Sequence, residues 1–138
     1  MKFELDPGRY YIGDLCYVVP EEEWQAFCKT EEAVDLEDMT EATLLSGRKI
    51  YLGQTAYGDG VYKDTFANQY PVDSGTIGIM RLLDEEEIDY DFGKVWLFEN
   101  PLTVYLEKLC NGVIFHFGDV TIDDTYEDVA DDYFWNDE

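Results

Sequence analysis

Three aspartates stand beside glycine in tight-turn sequence: Asp14 in YYIGDLCY, Asp59 in TAYGDGVY and Asp73 in YPVDSG. Glycine at such positions lets the backbone approach a ligand closely, while a carboxylate can accept from a hydroxyl or ligate a hard cation such as calcium or magnesium. Gathered at one end of a sheet, the three turns would make a shallow acidic pocket walled by Tyr10, Tyr57, Tyr62 and Cys16. Asp14, Asp59, Asp73 and Tyr57 are therefore the ligand-binding candidates. The competing explanation is that Asp-Gly is simply favoured turn chemistry.

Other catalytic patterns are weak. The only histidine is His116, which leaves little room for a zinc site. Cys16 or Cys110 could be paired with His116, but nothing local marks a nucleophile, and His116 between Phe115 and Phe117 reads as a structural or rim residue of a strand. Asp89-x-Asp91-x-Gly93 lacks the third oxygen ligand and the terminal bidentate Glu of a calcium loop. There is no P-loop, GxGxxG or GxSxG. No catalytic residue and no cofactor is assigned, and the chain reads as a binding protein rather than an enzyme.

The elements that must position these residues are mostly strands. RYYIGDLCYVV (9–19) reads as a strand interrupted at Gly13-Asp14. Pro20 opens a short helix in which Glu21, Glu22 and Glu23 suit the positive end of the dipole, and Trp24, Phe27 and Cys28 share a face that should dock on the sheet. Residues 30–47 suggest a loop and a helical turn at 40–45. RKIYLGQTAY, Gly58-Asp59-Gly60 and VYKD form a hairpin signal, and TIGIMRLL (76–83) and VWLFE (95–99) read as strands. LTVYLEKL (102–109) and VIFHF (113–117) flank Asn111-Gly112, a second hairpin signal, and VTI (120–122) suggests a last short strand. The expectation is a mainly β (α+β) fold: a single-domain antiparallel sandwich or open barrel of six to eight short strands with one early helix. Residues 1–125 form the β-rich domain, and 126–138 an acidic aromatic tail that either packs on the core or stands free.

The chain has 138 residues, of which 46% are apolar and 16% aromatic, enough for one domain with a real core. Thirty-two acids against nine Lys and Arg give a net charge of −23. Direct binding to a nucleic-acid backbone or an anionic membrane is thereby disfavoured, because both need a basic footprint. No stretch is apolar enough to span a membrane, the N-terminus lacks the apolar run of a signal peptide, and three widely spaced cysteines fit reduced, mostly buried thiols in a cytoplasm.

The charge is segregated. Residues 21–41 carry −8, 84–93 carry −6 and 119–138 carry −9, so the remaining 87 residues are neutral overall. Packing like charges together costs self-repulsion that a basic partner would relieve. Aromatics are interleaved with the last two blocks, as an interface with apolar anchors in a charged rim requires. Glu85, Glu86, Glu87, Asp89, Tyr90, Asp91 and Phe92 form one expected partner-binding patch; Asp131, Asp132 and Trp135 are the candidates in the tail.

YYIGDLCY with a Trp-bearing helix after it, TAYGDGVY and VDSGTIGIM together resemble a family of small phage and prophage-borne bacterial proteins of unknown function. The resemblance covers residues 9–80. Leu15 departs from the proline common at that place, which bears on the local turn geometry. The resemblance implies a viral or mobile-element setting, no known reaction, and a family role for Asp14, Asp59 and Asp73. Combined with the charge, the expected function is binding and inhibition of a basic, nucleic-acid-handling host protein, such as a nuclease or defence complex, by nucleic-acid mimicry. A monomer in the host cytoplasm is expected. The alternatives are a small-ligand or divalent-metal-binding protein using the Asp-Gly turns, or a viral accessory or structural protein.

Overall fold

Leu102, Val104 and Leu106 alternate with more polar residues, and all three are buried on one face of a strand, as a half-buried strand requires. That strand belongs to the larger of two sheets in a computed structural model, which describes residues 2–30, 33, 36, 38–83 and 93–125, the side chains of 124 and 125 excepted. The described residues form eleven strands and one α-helix: β1 (Phe3–Leu5), β2 (Gly8–Gly13), α1 (Glu21–Cys28), β3 (Thr40–Thr43), β4 (Lys49–Gln54), β5 (Gly60–Asp64), β6 (Gln69–Val72), β7 (Thr76–Arg81), β8 (Gly93–Phe98), β9 (Leu102–Leu109), β10 (Gly112–Phe117) and β11 (Val120–Thr125).

The first sheet has the order β1-β9-β10-β11-β5-β6 and the second β3-β4-β7-β2-β8, with antiparallel pairing throughout. Neither closes into a barrel. The mainly β sandwich with a short early helix is what the pattern of strands and turns led us to expect, with more strands than the six to eight anticipated.

Two hydrophobic layers hold it together. Tyr10, Ile12, Ile77 and Ile79 of the second sheet face Val104, Phe115, Phe117 and Ile122 of the first. On its other face the second sheet presents Tyr11, Ile50, Leu52 and Met80 to Phe27 of α1 and to Leu15 and Val19. Sheet two is thus covered on both sides, which explains why Thr76 through Met80 are all buried and do not alternate. Among the described residues sheet one is covered on one side, and β9 and β10 alternate.

Four local expectations are corrected. Residues 14–19 are not strand: β2 stops at Gly13, and Leu15–Tyr17 form a 3-10 turn capped by Asp14. Residues 40–43 are strand, not a helical turn, because pairing Ala42 with Ile50 buries Ala42 against the helix layer. Gly58-Asp59-Gly60 is no hairpin: β4 and β5 lie in different sheets, and the segment crosses between them. The cysteines are not mostly buried, since Cys28 and Cys110 are exposed and Cys16 is half-buried. The Cys28 position on α1 therefore faces away from the docking side that Phe27 occupies. The β9–β10 hairpin forms as expected, with Leu109 opposite Gly112, so its turn is Cys110-Asn111.

Candidate functional site

The Asp14 turn is built on glycine. Gly13 pairs with Gly78 of β7 on one side and with Gly93 of β8 on the other, a row of three across the second sheet. A side chain at Gly78 would stand 2.6 Å from the Tyr51 carbonyl oxygen and 2.8 Å from Leu15 Cδ1; one at Gly93 would collide with the Tyr11 ring. The glycines clear room for Leu15 and Tyr11 to lie flat on the sheet, so their close approach serves the protein's own turn.

Asp14 is fully buried. Its Oδ1 accepts from the Cys16 amide at 3.0 Å and the Ser74 hydroxyl at 2.7 Å; its Oδ2 accepts from the Asp73 and Ser74 amides, both at 2.7 Å. One carboxylate therefore caps the 3-10 turn and clamps the turn before β7 from 60 residues away. Ser74 also shares a hydrogen bond with Thr76 at 2.7 Å. Thr55 closes the cluster: its amide donates to the Gly75 carbonyl at 2.9 Å and its hydroxyl to the Gly58 carbonyl at 2.8 Å.

The three Asp-Gly turns thus gather at one end of the second sheet. Asp59 and Asp73 are exposed there, and with Asp14 they bear on Cys16 and Tyr17. Burial, the hydrogen bond with Asp14 and the charges of Asp14, Asp73 and Asp59 push the Cys16 thiol up to about 12. A thiol so raised is no nucleophile at neutral pH. Tyr17 is raised by burial and by the same carboxylates. Tyr62 joins the cluster through its hydroxyl, which donates to the Gly58 carbonyl at 2.7 Å, and the Tyr57 hydroxyl reaches away to the Asn111 carbonyl. Tyr10 is not a wall of this cluster; its hydroxyl donates to the Asp6 carbonyl at 2.7 Å. Among the described residues no three His, Cys, Asp or Glu side chains are placed to hold a metal ion. With both Asp14 oxygens engaged, the cluster reads as a structural clamp. His116 lies on the outer face of the first sheet, its Nε2 2.8 Å from Glu107 Oε1 and its ring stacked on Tyr105 at 4.3 Å.

The expected partner-binding residues Glu85, Glu86, Glu87, Asp89, Tyr90, Asp91, Phe92, Asp131, Asp132 and Trp135 lie outside the described residues. Comparison with family models, curated proteins and solved structures finds no match to this chain.

Sequence reasoning missed a second buried carboxylate. Asp64, at the end of β5, accepts from the Phe66 amide at 2.8 Å, the Asn68 amide and side chain at 3.0 Å each, and the Tyr70 hydroxyl at 2.6 Å. Burial alone would raise its pKa, but bonds from Tyr70, Asn68 and Phe66 outweigh it and hold the carboxyl below its ordinary value. Trp96 Nε1 of β8 donates to the Tyr70 hydroxyl at 3.4 Å, joining the two sheets. Ala67, at φ 70°, lets the short turn close. The available signal was Asp64 followed by Asn68 in a turn, where Asp and Asn side chains bind nearby backbone.

Proposed function

We propose that this chain is an acidic binding protein of a viral or mobile-element setting, which engages a basic nucleic-acid-handling host protein by mimicking nucleic acid. The observation that carries this reading is the segregation of charge around a near-neutral β core. Among the described residues only Asp14 and Asp64 are buried acids, and both are consumed by internal hydrogen bonds. Helix α1 illustrates the arrangement: Phe27 is buried and Trp24 packs inward, while Glu21 and Glu22 face solvent. Exposed apolar side chains such as Leu97, at 69% exposure on the edge strand β8, supply the kind of anchor a charged interface needs. Among the described residues no helix is long and apolar enough to cross a membrane.

In this mode the carboxylates of 21–41, 84–93 and 119–138 occupy the Lys/Arg groove that would otherwise neutralise phosphates, and the groove loses access to DNA or RNA. The protein acts as a monomer, its acidic faces repelling a second copy.

The test is affinity capture from a bacterial lysate with elution in salt steps, followed by competition with duplex DNA for the captured enzyme. Affinity should fall at least about tenfold between roughly 50 and 500 mM salt, as it does when phosphate-like charges dominate. DNA should compete, and neutralising Glu85, Glu86, Glu87, Asp89 and Asp91 to their amides should weaken capture. Salt-insensitive binding, or a partner that binds this chain and DNA simultaneously, would refute mimicry.

A further inference from the structure

A concavity is formed by β1, Tyr10 of β2, the turn before β4, β4 itself and the end of β7. It has a volume of about 550 Å³, within the range of sites that bury a small molecule. Its charges are sorted by sheet. Glu4 and Asp6 come from the first sheet's edge strand and the residue after it; Lys49 and Arg81 come from the second sheet and Arg48 from the turn before β4. Three of the nine bases of a −23 chain therefore line one groove.

The cations there differ in their engagement. Lys49 Nζ lies 3.6 Å from Glu41 Oε2, the same oxygen that accepts from the Tyr51 hydroxyl at 2.7 Å. Arg81 instead lies over the Tyr10 ring, its Cζ 5.8 Å from the centroid. Gly8 makes this possible, since a Cβ there would sit 2.8 Å from an Arg81 guanidinium nitrogen. Arg81 and Asp6 both act on the Tyr10 hydroxyl from opposite signs, yet among the described residues neither belongs to an ion pair. Opposite charges held apart beside an aromatic ring and Leu5 form a two-point receptor with an apolar floor, and Leu83, 64% exposed, extends that surface to the rim.

We propose that this groove binds a small zwitterion of the amino-acid class, its carboxylate on Arg81, its ammonium on Asp6 and Glu4, and its side chain against Tyr10 and Leu5. The pairing of both kinds of charge decides among ligand types. A ligand with only a negative end leaves Asp6 and Glu4 unmet, and one with only a positive end leaves Arg81 unmet. A zwitterion satisfies both ends of the groove. A planar guanidinium such as that of Arg81 suits a carboxylate, which it can grip through two parallel hydrogen bonds. This inference stands independently of the mimicry reading.

The experiment is NMR titration of the intact chain with L-phenylalanine, 3-phenylpropionate and phenethylamine, which share one ring and differ in their charged ends. A mixture of the common L-amino acids is titrated in parallel. Shifts at Tyr10, Arg81 and Tyr51 are expected with at least one amino acid, and analogues of L-phenylalanine lacking either charge should bind about tenfold more weakly, a loss of about 1.4 kcal/mol. Arg81→Gln and Asp6→Asn, both at exposed positions, should each weaken binding while leaving the amide spectrum folded. The proposal is overturned if no amino acid perturbs these residues at about 10 mM, well above a weak Kd of about 1 mM. It is equally overturned if phenylpropionate binds as well as L-phenylalanine, which would make the groove a plain anion site.

Discussion

Asp14 and Asp64 show how differently two buried carboxylates declare themselves. Asp14 is conspicuous in sequence because it adjoins Gly13 in a tyrosine-rich run, and its importance was legible while its role was not. Its partners Asp73 and Ser74 lie about 60 residues downstream, so only the folded chain shows that its oxygens are engaged. Replacing Asp14 with Asn leaves one acceptor oxygen for two sets of donors, so an N–H faces either the Asp73 and Ser74 amides or the Cys16 amide; stability should fall by roughly 3 kcal/mol, the cost of stranding buried donors, read by urea unfolding. Asp64 predicts a pH dependence. Its folded pKa lies below its unfolded value, so its contribution is complete above about pH 4 and disappears as pH falls through the folded pKa. The stability gap between the wild type and Asp64→Asn should therefore be widest near neutrality and shrink below about pH 4. A gap independent of pH would show that hydrogen-bond geometry alone, without the charge, holds the turn.

At the level of elements, strands with clear alternation were readable and short polar ones were not. LTVYLEKL and VIFHF announced themselves because one face is buried and the other wet. TEAT escaped because, as a polar edge strand of four residues, it has only Ala42 buried. Gly58-Asp59-Gly60 misled for a different reason: turn chemistry reports a local bend and is silent on whether the next strand returns to the same sheet. The acidic clamp shares this limit, since three turns meet only after β2, β4 and β7 have paired. Gly78 tests the packing of that layer. Val at this site would press on the Tyr51 carbonyl and Leu15, so Gly78→Val should cost about 3 kcal/mol or prevent folding, whereas Gly53→Ala, whose Cβ would meet no atom nearer than 3.4 Å, should cost far less. Comparable melting temperatures for the two variants would contradict the tight seating of the 3-10 turn.

Over the whole molecule, the uncompensated charge should be visible as self-repulsion. Raising salt from about 10 mM to 500 mM shortens the Debye length from about 30 Å to below 8 Å, so the melting temperature should rise with added sodium chloride. A fall or no change would mean that the acidic blocks already sit too far apart, or are too well hydrated, to oppose folding. The same repulsion is the reason a basic protein suits the acidic faces.

The pairing of β1 with β9, Phe3 opposite Val104, ties the first residues into the sandwich as an edge of the larger sheet. Shortening the chain at its front is consequently not a cosmetic change. Deletion through Asp6 would bare the β9 backbone as a sticky new border and would also strip the acidic wall from the groove. Tethers for capture or labelling should leave that end untouched.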